Sequence, residues 1–296
     1  MLAIDDLRPN LGCYAGTNPF NSPTMATPNI DELAGRSLLL ENAYAQQAWC
    51  SPSRASLLTS RRPDTTRVLD LRTYFRTSGG NFTTIPQHFK NNGYISIGIG
   101  KIFHYNVNAS NKGDPPSWSE PFIKPKDEYY SRNISWMAVP QTQLDREPLI
   151  DTKVANEAIK ALQKSAVKAK TGAEPFFIAA GFYKPHLPFI FPEQFLEKYP
   201  VGSIKLAGNP FAPSNMSDIA WSSWEELPGD ITELVNSTNP PLGQINSTMP
   251  DFKTLELRRA YYASISHVDH EVTKIICINS GIVDAILLGT TLPGSG

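Results

Sequence analysis

The chain lacks the features that would assign it to several large classes of protein. No apolar run reaches the roughly 18 residues that a membrane-spanning helix needs, so no membrane partner is expected. Its 27 lysines and arginines against 28 aspartates and glutamates leave a net charge of -1, and neither sign gathers into a block. There is no basic stripe of the kind that tracks a phosphate backbone, so nucleic acid is not expected as a partner. Three cysteines cannot build a disulfide framework, and no bridge between Cys13 and Cys277 is predicted. Met1-Leu2-Ala3-Ile4 runs directly into Asp5 and Asp6, so no secretory signal peptide opens this chain. No internal repeat or low-complexity tract interrupts it.

What is present points to a folded α/β protein. A chain of 296 residues can bury a sizeable core, as one large domain or two small ones. Its 25 prolines argue for many irregular connections and against a helical bundle. Asn-x-Ser/Thr sequons begin at Asn81, Asn108, Asn133, Asn215, Asn236 and Asn246, which favours a lysosomal or secreted glycoprotein.

Hydrophobic patterning predicts the elements. Leu2-Ala3-Ile4 reads as a short buried strand, Ser37 to Tyr44 as a strand, and Tyr94 to Gly100 and Phe176 to Ala180 as central strands. Helices are predicted from Pro28 through Ala34, from Cys50 to about Ser60, and over Ile85 to Asn91, the last stopped by Gly93. Further helices are predicted from about Ile150 through Leu162, from Pro192 to Tyr199, and from Phe252 to about Ile276. Tyr105 to Pro148 and the stretch up to Met249 read as loop-rich. Alternating strands and helices give a mainly parallel central sheet flanked by helices. Sites in such sheets collect beyond the carboxyl ends of strands, and Asp5, Asp6, Lys101, His104 and His186 all stand at such ends.

The most informative stretch is Cys50-Ser51-Pro52-Ser53-Arg54, followed by Leu58-Thr59-Ser60-Arg61-Arg62. Pro52 is tolerated where a helix begins, which puts Cys50 at a helix N-terminus. The partial positive charge there, with Arg54 one turn on, favours an anion at position 50. Read alone, Cys50 is either a small buried hydrophobe or an activated thiol. The Asp5-Asp6 pair is either a turn cap or a seat for a hard cation with oxygen ligands.

The string from Cys50 to Arg61 resembles the signature of the sulfatase family, with Ser60 where that family usually has glycine. Asp5-Asp6-Leu7-Arg8-Pro9, Thr27-Pro28-Asn29-Ile30-Asp31, Gly100-Lys101-Ile102-Phe103-His104 and Tyr183-Lys184-Pro185-His186-Leu187-Pro188-Phe189 resemble further segments of it, in the family's order. They point to the branch that removes 2-O-sulfate from iduronate in heparan and dermatan sulfate.

The resemblance implies an alkaline-phosphatase-like sulfatase fold. It implies that Cys50 is converted to formylglycine by the formylglycine-generating enzyme, and that Asp5, Asp6 and the residue at 50 hold one calcium ion. Arg54 would steady the nucleophilic oxygen, and Lys101 would bind it or a sulfate oxygen. His186 would protonate the departing sugar oxygen, and His104 would take the second hydroxyl proton. His88, His267 and His270 match no catalytic segment and are read as structural.

A later Ser-Asp-His-Gly segment of the family and a lysine after it do not occur here. The expectation is therefore an incomplete N-terminal catalytic domain over 1–276 and an unrelated tail over 277–296. That reading predicts a truncated sheet with an unpaired edge, and impaired activity. Rival readings are another sulfatase acting on aryl sulfates or sulfamates, and a non-catalytic fragment that binds glycan or a partner. A cysteine hydrolase is disfavoured because no Cys-His-Asn pattern accompanies Cys50.

Overall fold

The computed structural model describes residues 1–16, 25–170, 172, 174–217, 220, 230–231, 245, 249–279 and 287–290. Its elements run β1 (Leu2–Asp5), α1 (Pro28–Gly35), α2 (Cys50–Thr59), α3 (Pro63–Thr66), α4 (Phe75–Ser78), α5 (Ile85–Asn91) and β2 (Ile95–Gly100). They continue with α6 (Val107–Ser110), β3 (Trp136–Val139), α7 (Gln141–Leu144), α8 (Ile150–Lys170), β4 (Phe176–Phe182), β5 (Phe189–Pro192), α9 (Asp251–Asn279) and β6 (Leu287–Thr290).

Four strands form a wholly parallel sheet in the order β2-β4-β1-β6. Leu2 lies opposite Ala180 on one side and Leu287 on the other, and Ile95 lies opposite Phe176. Strands β1, β2 and β4 are buried on both faces, as parallel strands covered by helices are. Because side chains alternate, these three strands face two cores. Ile4, Ile97, Ile99, Ala180 and Phe182 pack in one core with Val154 and Ala158 of α8 and Val268 and Val272 of α9. Ala3 and Ala179 face the other way, into a second core with Leu58 of α2, Phe75, Phe103 and Trp118. Gly98 belongs to that second face, where a Cβ would lie 2.6 Å from the Trp118 ring.

Two helix starts show how distant segments lock the fold. Thr84 caps α5 locally, its hydroxyl accepting from the Gln87 amide at 3.2 Å. Helix α1 has no side-chain cap from Thr27. Its first amides are met instead by Asp269 of α9, which accepts from Ile30 N at 2.8 Å and from the Asn29 side chain at 2.6 Å.

The expected strands and long helices form, most of them close to their predicted bounds; α8 runs on to Lys170, past the expected end at Leu162, and three further differences stand out. Ser37 to Tyr44 is irregular, not a strand, and Leu38, Leu40 and Tyr44 are exposed. Its apolar alternation meets no partner strand among the described residues, and an unpaired strand has nothing to bond its backbone. The loop-rich stretch after Tyr105 contains β3, which pairs in parallel with β5 as a small second sheet. Within the expected tail, β6 adds a fourth strand beside β1, so that edge of β1 is paired. Asn236 and Asn246 and most of the stretch before Met249 lie outside the described residues.

Candidate active site

Three strand ends and one helix start converge on one point. β1 ends at Asp5, and Asp6 takes a left-handed backbone conformation (φ 57°), which aspartate tolerates better than most residues. Successive strand residues would point to opposite faces. The reversal at Asp6 instead brings both carboxylates to Cys50, the first residue of α2. Cys50 Sγ lies 3.6 Å from each Asp5 carboxylate oxygen and 3.9 Å from Asp6 Oδ1. His186, four residues beyond β4, completes the group: one donor atom from each of Asp5, Asp6, Cys50 and His186 lies within 4.8 Å of all the others.

Two cations underlie it. Arg54, one turn into α2 and fully buried, donates Nη2 to Asp5 Oδ1 at 2.6 Å and Nη1 to the carbonyls of Lys101 and Ile102. Lys101, at the end of β2, pairs through Nζ with Asp5 Oδ2. Burial opposes ionisation of Asp5, but Lys101 and Arg54 outweigh it and hold the carboxyl far below the usual range. Asp6 behaves in the opposite way: burial and the charge on Asp5 push it up to about 7.

Position 50 does not favour a thiolate. Burial and the Asp5 carboxylate push the Cys50 thiol up to about 12, against the pull of Lys101 and Arg54. The helix N-terminus was expected to favour an anion there; burial and the two carboxylates reverse that.

Both candidate histidines are neutral at neutral pH. Burial, with Lys101 beside it, lowers His186 to about 4, and the same two causes lower His104. His186 Nδ1 lies 2.6 Å from the Leu187 carbonyl, which can only accept, so the proton sits on Nδ1 and Nε2 carries the lone pair. His104 Nδ1 lies 3.2 Å from the Asn106 amide nitrogen, which also donates to Leu71 O.

Every site residue expected from the sequence is therefore at this end of the sheet. Four supporting residues were not foreseen. Lys184, buried, donates Nζ to His186 O at 3.1 Å and Pro188 O at 2.7 Å. Asp151, in the first turn of α8, accepts from Tyr183 N at 2.6 Å and Lys184 N at 3.0 Å. Tyr261 of α9 donates to Asp6 O at 2.7 Å and accepts from Arg8 N at 3.0 Å. Asn106 is the fourth. Only Lys184 carried a sequence signal, as part of Lys184-Pro185-His186; Asp151 and Tyr261 act across long sequence separations, and Asn106, although only two residues past His104, belongs to no recognised segment.

The donor set fits a divalent cation. Two adjacent carboxylates, one of them pushed up to about 7 by burial and its neighbour's charge, are relieved by positive charge between them. Carboxylate oxygens suit hard cations, whereas the Cys50 sulfur is a soft ligand.

Residues 2–277 match the Sulfatase family. The chain is 38% identical over 305 residues to iduronate 2-sulfatase of Homo sapiens, covering 99% of this chain and 52% of that protein. It is 37% identical over 289 residues to iduronate 2-sulfatase of Mus musculus, covering 93% of this chain and 50% of that one. The chain thus spans about half the length of these relatives. Among solved structures it is similar to the phosphonate monoester hydrolase of Agrobacterium radiobacter (TM-score 0.55, 18% identity, covering 95% of this chain and 59% of that one). It is also similar to a protein crystallised with its substrate D-glucosamine-2-N,6-O-disulfate (TM-score 0.61, 15% identity, covering 95% of this chain and 62% of that one). The fold is that of alkaline-phosphatase-like sulfatases. The signature at Cys50, the matched family and the shared fold agree: this chain belongs to the sulfatase family of sulfuric ester hydrolases.

Proposed function

We propose that this chain removes 2-O-sulfate from iduronate in heparan and dermatan sulfate, with formylglycine made from Cys50 by the formylglycine-generating enzyme and with one calcium ion. The observation that carries the reading is the meeting of Asp5, Asp6, Cys50 and His186 above the buried cations Arg54 and Lys101. The substrate class follows the iduronate 2-sulfatase relatives, which match over nearly the whole chain.

An aldehyde hydrate at position 50 supplies an oxygen nucleophile and a hard ligand where the thiol supplies neither. Asp5, Asp6 and the residue at 50 would hold the cation, which supplies positive charge against the sulfate oxygens. Arg54 cannot lose its proton, so it keeps Asp5 ionised and fixed. Lys101 pairs with Asp5 and would bind a sulfate oxygen as a point charge. His186 has its Nδ1 proton committed to the Leu187 carbonyl; a second proton taken up from solvent at Nε2, favoured by the negative charge of an arriving sulfate, would pass to the leaving sugar oxygen. His104 would accept the second hydroxyl proton at Nδ1, the nitrogen that carries its lone pair, in exchange for the hydrogen bond from Asn106, so that sulfate would leave and the aldehyde return.

The catalytic unit would span 1–276, with β6 of the following segment added to its sheet. A lysosomal or secreted glycoprotein fits the exposed positions of Asn81, Asn108, Asn133 and Asn215.

The test is to express the chain with the formylglycine-generating enzyme, weigh the peptide containing position 50, and measure sulfate release from a 2-O-sulfated iduronate disaccharide. The expected result is the aldehyde mass and release that Cys50→Ala abolishes. An unmodified thiol with no release overturns the reading. Release from an aryl sulfate but not the disaccharide would leave a sulfatase of another specificity.

A further inference from the structure

The site as described handles one sulfate, yet its rim carries a cation that this chemistry does not use. Residues 121–124 run along the free side of β2. Gly100 N donates to Ile123 O and Ile123 N donates to Gly98 O, both at 2.9 Å, and Ile99 and Ile123 form a parallel bridge. This pairing delivers Lys124 to the carboxyl end of β2, the end that carries Lys101. Pro125 follows and restricts Lys124 to an extended backbone.

The Lys124 side chain is exposed, but it is not loose. Its Nζ lies 4.4 Å from the centre of the Tyr105 ring, a cation–π contact, and Phe122 stacks on the same ring at 5.7 Å. Tyr105 is the residue after His104. Lys124 is close enough to His104 that its charge contributes to lowering the imidazole's proton affinity. The nearby acids of this segment are engaged: Asp127 accepts from Tyr129 N at 3.2 Å, and Glu128 pairs with Lys126 at 2.7 Å. Among the described residues Lys124 has no acidic partner. The result is a positioned positive charge on an aromatic platform, at the mouth of a site that already takes one anion.

We propose that Lys124, held by Tyr105, is an anion subsite that binds a second negative group on the same carbohydrate substrate. The chemistry is a carboxylate or sulfate one sugar position or less from the reacting ester. The subsite would make this sulfatase select polyanionic glycans over simple sulfate esters. The aromatic ring adds a flat apolar surface against which a sugar ring can lie. This rests on the proposed hydrolase reading only for the choice of probe.

The test is a cycle of binding measurements by calorimetry on the full chain carrying Cys50→Ala, which removes turnover. Three probes are used: a disaccharide with 2-O-sulfated iduronate and a further sulfate on its glucosamine, the same disaccharide with the uronate carboxylate reduced to an alcohol, and one lacking the glucosamine sulfate. Each is measured with Lys124 and with Lys124→Gln, with circular dichroism checking that the fold is kept.

We expect Lys124→Gln to weaken the full disaccharide about tenfold, the scale of a charge-assisted hydrogen bond. It should not further weaken the probe that lacks the recognised anion. Which probe becomes insensitive tells whether the carboxylate or the sulfate is read. Tyr105→Leu should show the same pattern in smaller degree. Equal weakening of all three probes, no weakening, or no binding of the full disaccharide by the parent chain overturns the proposal. Coupling seen in a chain that releases no sulfate would leave the subsite standing and the hydrolase reading failed; sulfate release without coupling would do the reverse.

Discussion

At the scale of single residues, the site is organised around a charge that cannot be left alone. Asp5 is fully buried and ionised only because Arg54 and Lys101 face it. Arg54→Met should therefore be costly beyond its lost packing, since it leaves the buried carboxylate with one partner. Removing one member of a buried pair typically costs about 3–5 kcal/mol. Urea unfolding of the variant should show a lower midpoint on that scale, and Arg54→Met with Asp5→Asn should recover part of it. A double variant no more stable than the single would refute Asp5 as the source. These residues were legible in the sequence because their chemistry is local to short motifs. Their electrostatics were not: the helix N-terminus argued for an anion at position 50, and burial together with Asp5 and Asp6, 45 and 44 residues away, reverses that.

At the scale of elements, the strand ends are set by close backbone approach. Lys101 N donates to Gly181 O at 2.8 Å, and a Cβ on Gly181 would lie 2.1 Å from Lys101 O. Gly100 has φ 74°, and a Cβ there would meet Gly181 O at 2.2 Å. Backbone cannot yield as a side-chain tip can. Gly181→Ala should thus part the ends of β2 and β4, move Lys101 from Asp5, and destabilise by at least the roughly 1–3 kcal/mol of an overpacked core. The thermal midpoint should fall and sulfate release should fall with it.

The contact between α8 and α9 gives a second prediction. Glu271 accepts from Thr152 Oγ1 and Lys274 Nζ, each at 2.9 Å, and lies 3.3 Å from His267 Nε2. Burial opposes its ionisation, but His267 and Lys274 prevail and hold it at about 2, below the ordinary 4.5. A carboxyl depressed on folding stabilises above its unfolded value, and the contribution is lost as pH falls through the folded one. The stability advantage of the parent over Glu271→Gln should therefore be full near neutrality and shrink between pH 4.5 and 2. A difference independent of pH in that window would show that Glu271 contributes by packing alone. Strand and helix positions were readable from periodicity, while Ser37 to Tyr44 misled because alternation alone supplies no pairing partner.

At the scale of the whole molecule, the site joins the end of β1, the start of α2 and the loop after β4. A cation bound there ties these together, and anything that binds only the folded state stabilises it. Calcium should stabilise the fold by about 2.7 kcal/mol at a hundredfold excess over its dissociation constant, read as a thermal midpoint that rises with concentration. Asp6→Asn should weaken the effect, and calorimetry without substrate can read it. A midpoint indifferent to calcium, magnesium and manganese would exclude Asp5 and Asp6 as a cation seat.

The sequence by itself determined the family, the parallel α/β plan and the identity of the residues at the strand ends, because short motifs and periodicity encode local chemistry. The tertiary structure alone decided that Asp5 and Asp6 turn together onto Cys50, that Asp151 and Lys184 hold the loop of His186, and that Lys124 stands over Tyr105. It also placed residues 287–290 beside β1, where the loss of the family's pattern suggested only a tail. Each of these depends on groups brought together from far along the chain, and the burial and charge they impose on one another exist only once the sheet has formed.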